Sequence, residues 1–192
     1  MIAALYVDPR GPYASMPDVD PWDEARDARK YAGPWPVVAH PPCGPWGKLR
    51  HLSRHQDPSL APIAVEQVRA WGGILEHPSH SKLWAHCDLP PVNGFPDAWG
   101  GYTIAVQQVN WGHPMRKRTW LYMVGVPSIG PIPPARAPTH WASGGRQRPD
   151  GSYTHTPCPP HIRIASAQQR RRTPPAFARW LVDLAHSVAK NR

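Results

Sequence analysis

The segment SLAPIAVEQVRAWGGILE, which runs from Ser59 to Glu76, decides the fold class. Its first part places apolar residues at helical spacing, and the Gly-Gly pair at position 72 ends that pattern. The apolar residues between this pair and Glu76 predict a buried strand. A short apolar run upstream, Val37 to Ala39, completes a strand, a helix and a second strand, which is the repeating unit of a parallel α/β sheet.

The flanking sequence extends this pattern in both directions. Ala3 to Val7 predicts a first buried strand, and Asp23 to Tyr31 predicts a short helix with acidic residues in its first turn. Tyr102 to Asn110 and Arg118 to Gly125 predict two further strands. They follow each other too closely for a crossover helix, so they form an antiparallel pair at one edge. We predict an α/β fold with a truncated Rossmann-like sheet and flanking helices.

The chain divides into three segments by composition. Residues 1–126 hold the elements above and form the predicted core. Residues 127–172 lack periodicity and are rich in Pro, Gly, Ser, Arg and His, which predicts a long basic loop or a minimal recognition segment. Residues 173–192 predict a C-terminal helix with Thr173 as its cap. Its apolar face must pack on the core, and this face comprises Phe177, Trp180, Leu181, Leu184 and Val188.

The composition excludes several classes of protein. The chain has 192 residues, a mean hydropathy of −0.53 and no apolar stretch near the roughly 20 residues of a membrane span. The apolar run at its N-terminus is too short for a signal peptide. Its three cysteines are widely separated and make no disulfide framework, so we expect free thiols in a reducing cytoplasm.

The positive charge is concentrated in the second half of the chain. Residues 1–96 carry 9 Lys and Arg against 10 Asp and Glu, whereas residues 97–192 carry 13 against 3. Arginine supplies 17 of the 22 basic residues, and its forked guanidinium suits phosphate groups. This distribution favours contact with a nucleic acid; a solubilising surface is the alternative.

Two chemically reactive side chains follow predicted strands. Cys43 lies in a Pro-Pro-Cys turn after the strand that ends at Ala39, and Glu76 ends the next predicted strand. Because open α/β sheets bind ligands beyond the carboxyl ends of their strands, we expect the two side chains to face one cleft. We expect a lowered pKa for the Cys43 thiol and a raised pKa for Glu76, which would then protonate a ring nitrogen. An inert buried cysteine and a carboxylate paired with an arginine are the structural alternatives.

A third motif is the cationic cluster Arg116, Lys117 and Arg118 at the start of a strand, which can steady a carbonyl or hold phosphate. Several His and Cys pairs also raise the alternative of a small metalloprotein. These pairs are His40 with Cys43, His77 with His80, His86 with Cys87, and Cys158 with His161. They are scattered and interrupted by proline, unlike the two spaced halves of zinc sites, so we assign no metal ligand.

In their order and spacing, the three motifs resemble those of the cytosine-5 DNA methyltransferases, and small phage and prophage relatives look most similar. The matching segments are Pro41-Pro42-Cys43, Glu76-His77-Pro78, and the stretch from Gly112 to Thr119. Counted from Gly112, the first arginine of the family's motif falls on Lys117 and the second on Thr119, so Arg118 is an approximate stand-in. The resemblance covers residues 35–125 and implies a methyltransferase-like sheet in a bacterial or phage-infected cytoplasm.

The resemblance implies a role for each reactive residue. Cys43 would attack C6 of a pyrimidine flipped out of DNA, which makes C5 nucleophilic for methyl transfer. Glu76 would bind and protonate N3. Arg116 or Arg118, with Lys117, would steady the base carbonyl or its phosphate.

The basic residues and tryptophans supply the expected nucleic-acid contacts. Besides Lys117, we expect contacts from Arg170, Arg171 and Arg172. Trp46 is the first candidate to stack on the extruded base, with Trp84 and Trp111 as further candidates.

The resemblance also implies S-adenosylmethionine as the methyl donor. The residues expected to hold it are Asp8, Gly11, Asp20 and Pro41, although the turn after the first strand has one glycine where the family has a glycine-rich turn. Two readings therefore stand beside a minimal methyltransferase. One is an enzyme that uses the same Cys43 and Glu76 chemistry on a pyrimidine nucleotide without S-adenosylmethionine. The other is a relative that binds nucleic acid without turnover.

Overall fold

The computed structural model describes residues 1–47, 50, 57–141, 145–147, 153–155 and 162–189. Its centre is a six-stranded sheet in the order β2-β1-β3-β4-β6-β5. The first four strands of this order are parallel, and β6 runs antiparallel to both of its neighbours. The six strands are β1 (Ile2–Leu5), β2 (Val19–Trp22), β3 (Val37–Ala39), β4 (Gly73–Pro78), β5 (Tyr102–Gln107) and β6 (Arg118–Val124). The predicted α/β class with a mainly parallel sheet is confirmed.

Four α-helices and four short strands complete the described parts of the chain. The helices are α1 (Leu60–Trp71), α2 (Leu83–His86), α3 (Ala167–Arg171) and α4 (Pro175–Ala189). The short strands lie within residues 127–172 and form two small ribbons, in which β7 (His140–Trp141) pairs with β10 (Arg163–Ile164) and β8 (Gly145–Gln147) pairs with β9 (Tyr153–His155). This segment thus has more regular structure than a plain loop.

The sheet is covered on both faces, as the burial of its strands requires. On one face α1 buries Ala61, Ala64, Val65 and Val68 against alternate residues of β1, β3 and β4. On the other face α4 packs the predicted apolar stripe, with Phe177 and Leu181 completely buried. The C-terminal helix therefore docks on the core as predicted, and the polar side chain of Asp18 ties it to the start of β2 by accepting hydrogen bonds from Arg179.

Two local predictions near the N-terminus are wrong. The predicted helix at 23–31 is reduced to a single 3-10 turn at Ala28–Lys30, because Asp23 and Asp27 accept hydrogen bonds from nearby backbone N–H groups. Such local bonds compete with helix formation. In addition, β2 was not predicted as a strand, since it is short and contains Pro21. Proline is tolerated there because β2 is an edge strand.

The junction between α1 and β4 requires glycine at position 73. Gly73 has a φ of +120°, and a Cβ atom built on it would lie 2.0 Å from the carbonyl oxygen of Val37 in the neighbouring strand. We expect Gly73→Ala to lower the free energy of unfolding by about 3 kcal/mol, because strand β3 would have to move. Urea denaturation measures this loss, with Gly112→Ala as a control that also has positive φ but open space for a Cβ. Equal losses in the two variants would contradict the steric explanation.

The strand order reverses at β1, since β2 lies on one side of it and β3 on the other. In open α/β sheets such a reversal opens a crevice beyond the carboxyl ends of the two central strands. The chain segments that follow β1, β3 and β4 all begin at this edge of the sheet. Among the described residues, no helix has the length and apolar character needed to cross a lipid bilayer.

Candidate functional site

The pairing of β3 with β4 brings two of the sequence motifs together. Ala39 is opposite Leu75 in the parallel register, so His40 and Glu76 emerge side by side at the edge of the sheet. The Nδ1 atom of His40 lies 3.0 Å from Oε2 of Glu76. The turn that carries Cys43 begins immediately after His40, and Cys43 as a whole residue is exposed.

Glu76 is the centre of a buried network of polar side chains. Its Oε1 atom accepts hydrogen bonds from Nε2 of Gln108 at 2.8 Å and from the hydroxyl of Thr119 at 3.3 Å. On the other side, the second ring nitrogen of His40 lies 2.6 Å from the hydroxyl of Tyr13. These residues come from four separate parts of the chain. The network therefore holds the carboxylate in one orientation.

The charge state of Glu76 differs from the sequence-based prediction. Burial alone would raise its pKa, as we predicted, but the positive charge of Lys117 and the hydrogen bond from His40 outweigh burial and lower the pKa to about 2. Glu76 is thus an ionised acceptor at neutral pH. The prediction of a raised pKa was wrong, because it counted burial and omitted the partners that fold around the carboxylate.

The pKa of Cys43 also moves in the direction opposite to the prediction. Although the residue is exposed as a whole, burial removes part of the water around the sulfur and disfavours the charged thiolate. The negative charge of Glu76 disfavours it further, so the pKa of the thiol is raised. Lys117 and Arg171 act against this shift without reversing it. Cys43 is therefore a thiol in the free protein, and the opposing charges show that these side chains belong to one electrostatic environment.

Lys117 is the cation that acts on both reactive groups. Its charge lowers the pKa of Glu76 and of Cys43. Arg116 and Arg118, to which we assigned the catalytic role, are both exposed. Arg118 lines a cleft of about 330 Å³ whose lining includes neither Cys43 nor Glu76. The electrostatic effect on both groups thus favours Lys117 for the role that we predicted for the two arginines.

The three arginines at 170–172 are all exposed at the end of α3 and just after it. The positive charge of Arg171 is one of the smaller influences that lower the pKa of the Cys43 thiol. Residues 142–144, 148–152 and 156–161 of the same basic segment lie outside the described residues, and they include the predicted metal-ligand pair Cys158 and His161.

The tryptophans are less available for base stacking than we predicted. Trp84 and Trp111 are 6% and 7% exposed and belong to the two hydrophobic cores, so both predictions were wrong. Trp46 is half-buried, with its ring 4.8 Å from that of His86. Its indole N–H is buried without a hydrogen-bond partner among the described residues. Trp46 therefore lies near the Cys43 turn with one face already covered.

The residues assigned to S-adenosylmethionine do not form a binding site for it. Asp20 already accepts hydrogen bonds from the indole of Trp22 and the guanidinium of Arg26. Gly11 closes a turn, and a Cβ there would lie 2.9 Å from the carbonyl oxygen of Asp8. The Asp8 carboxylate is largely exposed and accepts from the backbone of Arg10 in the same turn.

The crevice itself is also occupied. Pro41 is buried, and the crevice between β1 and β3 contains the hydrogen-bonded pair Tyr13 and His40. These observations do not fit the S-adenosylmethionine-binding residues that the resemblance implies. The turn after β1 has one glycine, the carboxylate of Asp20 is already hydrogen-bonded, and Tyr13 and His40 lie between the ends of β1 and β3.

Sequence reasoning missed several residues of the site. His40 was considered only as a metal ligand, and Tyr13 and Gln108 were not singled out at all. His77 is completely buried, and burial lowers its pKa to about 4 although Glu76 and the backbone of Pro42 act in the opposite direction. The position of His40 next to the Pro-Pro-Cys turn was the available signal, whereas Tyr13 and Gln108 gave none.

In the part of the chain that the structure describes, no three His, Cys, Asp or Glu side chains are arranged to hold a metal ion. The site therefore consists of a thiol, an ionised carboxylate, a histidine and a lysine at the carboxyl ends of parallel strands. Comparison of the chain with protein-family models, with curated proteins and with solved structures finds no match.

Proposed function

We propose that this chain modifies a pyrimidine base by adding Cys43 to C6 of the ring, in the manner of the cytosine-5 DNA methyltransferases that it resembles. The observation that carries the proposal is the register of β3 and β4, which puts the turn with Cys43 and the carboxylate of Glu76 at the ends of adjacent parallel strands, and the charges of Glu76 and Lys117 both act on the thiol. A nucleophile and a hydrogen-bonding carboxylate at the ends of neighbouring strands are the two groups that such an addition needs.

The sheet supports the same proposal. A mainly parallel sheet whose order reverses at β1 is in keeping with a truncated Rossmann-like, methyltransferase-like core. The reacting groups follow β3 and β4, beyond the carboxyl ends at which such sheets bind ligands. The proposal thus rests on the place of the site in the sheet as well as on its residues.

The addition of the thiol to the ring needs no reactant besides Cys43, the base and a proton. The Cys43 sulfur loses its proton and forms a bond to C6, the C5–C6 double bond opens, and N3 gains a proton. C5 is then nucleophilic and can exchange its hydrogen with water before the sulfur leaves again. Lys117 stabilises the negative charge that the attack places on the base, because its positive charge acts on both Cys43 and Glu76.

DNA is the proposed polymer. The arginines at 170–172 are all exposed, the charge of Arg171 acts on Cys43, and the second half of the chain carries ten more basic than acidic residues. Lys and Arg that neutralise phosphates release counterions, so binding should weaken steeply with salt. S-adenosylmethionine is implied by the resemblance alone, and the proposal therefore concerns the addition to the ring.

Hydrogen exchange at C5 tests the proposal without a methyl donor. We expect the protein to release tritium into water from DNA that contains cytosine tritiated at C5, and the release should fall as salt is raised. Parallel reactions use single-stranded DNA, duplex DNA, RNA and free deoxycytidine monophosphate to identify the substrate. Binding of DNA with no release from any of these substrates would overturn the proposal and favour a non-catalytic relative.

A further inference from the structure

His40 has no role in the proposed addition so far, yet it lies between the hydroxyl of Tyr13 and the carboxylate of Glu76. His40 bridges Tyr13 and Glu76 through its two ring nitrogens, at 2.6 Å and 3.0 Å. The side chains of His40 and Glu76 are only 10% and 8% exposed. Both contacts are therefore short and shielded from bulk water.

From this bridge we infer that His40 supplies the proton that N3 of the pyrimidine gains during the attack of Cys43, acting through Glu76. The inference rests on the proposed addition to the ring. In it, His40 is a positioning residue and Glu76 is the group that touches the substrate.

The need for such a residue follows from the charge of Glu76. An ionised carboxylate can accept a hydrogen bond from the substrate, but it has no proton to give. A protonated His40 can pass the proton on its Nδ1 atom to Oε2 of Glu76, which hands it to N3 as the negative charge develops on the ring. His40 is then neutral and regains a proton from water, while the proton lost by the exposed Cys43 thiol also goes to water.

Tyr13 suits both charge states of His40. Its hydroxyl can donate to Nε2 when the ring is neutral, and it can accept from the same atom when the ring is protonated. Burial raises the pKa of Tyr13, so the phenol stays neutral and does not itself become the acid. The backbone N–H of His40 also donates to Leu5 of β1, which fixes the ring between its two partners.

The charged and titratable groups around His40 are few in the described parts of the chain. Tyr13 contacts it from the turn after β1 and Glu76 from β4, and Cys43 follows three residues later in the chain, while Lys117 and His77 act on Glu76. Of these groups, the thiol and His40 are the two whose protonation changes during the proposed addition. The pH profile of the reaction therefore separates their contributions.

The test compares His40→Gln with the wild-type protein in the C5 exchange assay. The glutamine amide can still donate to Glu76 and accept from Tyr13, but it carries no exchangeable positive charge. We expect the exchange rate near neutral pH to fall about 100-fold, the lower end of the usual contribution of general acid catalysis. DNA affinity should stay within about twofold, because the network keeps its hydrogen bonds.

The shape of the pH profile distinguishes proton supply from a structural role. In the wild-type protein the rate should rise with pH and then level off, because the gain in thiolate is cancelled by the loss of the acid. In His40→Gln the plateau should disappear and the rate should keep rising as the thiolate forms. Tyr13→Phe should keep the plateau and lower the rate less than His40→Gln.

Three results would overturn the inference in different ways. If the wild-type protein exchanges tritium and His40→Gln gives the same rate and the same plateau, His40 supplies no proton although the proposed function stands. If the wild-type protein gives no exchange, the proposed function fails and the inference fails with it. A plateau that persists in a slower but folded His40→Gln protein would likewise assign His40 a structural role only.

Discussion

Replacement of Cys43 by serine should reduce C5 exchange by a factor of about 10⁴ or more, because the sulfur is the atom that bonds to C6. Serine keeps the shape of the turn, and its hydroxyl is too poor a nucleophile to replace the thiol at neutral pH. The side chain is exposed, so the substitution leaves no buried cavity. The measurement is tritium release from DNA tritiated at C5 of cytosine, under the conditions in which the wild-type protein exchanges.

A matched control uses the second free cysteine of the described chain. Cys87 ends α2, is half-buried and lies outside the proposed site, so Cys87→Ser should exchange at nearly the wild-type rate. DNA affinity should be unchanged in both variants, since neither thiol is expected to hold phosphate. Exchange that persists in Cys43→Ser would remove Cys43 as the nucleophile, whatever the control shows.

Replacement of Glu76 by glutamine should affect both activity and stability. Glutamine cannot pass a proton to N3, so exchange should fall by about 100-fold or more. Glutamine also resembles the protonated form of the carboxyl group, which the folded protein disfavours because Lys117 and His40 are left without a counter-charge. The difference between the pKa of about 2 in the folded protein and the ordinary value of 4.5 corresponds to a stability loss of about 3 kcal/mol near pH 7.

The pH dependence of this stability loss has a definite sign. A carboxyl group with a lowered pKa stabilises the fold above its ordinary pKa, and that contribution disappears as pH falls from about 4.5 to about 2. The difference in unfolding free energy between wild type and Glu76→Gln should therefore shrink across this range. Burial of His77 destabilises the fold progressively as pH falls from 6.5 to about 4, and the charge of Glu76 partly offsets that cost, so this smaller effect does not cancel in the difference.

Urea denaturation at pH 6 and at pH 3 measures the effect, and Glu66→Gln is the control. Glu66 lies on the outer surface of α1 and pairs with Arg69 three residues further along the helix, with a side chain that is 67% exposed. Its replacement should cost less than about 0.5 kcal/mol at either pH. A penalty for Glu76→Gln that stays the same at both pH values would contradict the charged, paired state of this carboxyl group.

Short-range pattern was enough to predict the framework of the site. Apolar residues at helical spacing in α1, bounded by Gly72, predicted the parallel unit of β3, α1 and β4, and the carboxyl ends of adjacent parallel strands meet at one edge. The placement of Cys43 and Glu76 on the same edge of the sheet follows from this local information. By contrast, β2 escaped prediction, because its short sequence with Pro21 is acceptable as a strand only at the edge of a finished sheet.

The amino-acid sequence by itself determined five of the six strands of the central sheet and the chemical groups at their ends, since hydrophobic periodicity depends on neighbours within a few residues. Tertiary structure alone decided the protonation of those groups and the partners that surround them. The partners Tyr13, Gln108 and Lys117 lie between 32 and 63 residues from Glu76 in the sequence. Electrostatic free energy depends on distance in space and on loss of water, and neither quantity exists until the chain has folded.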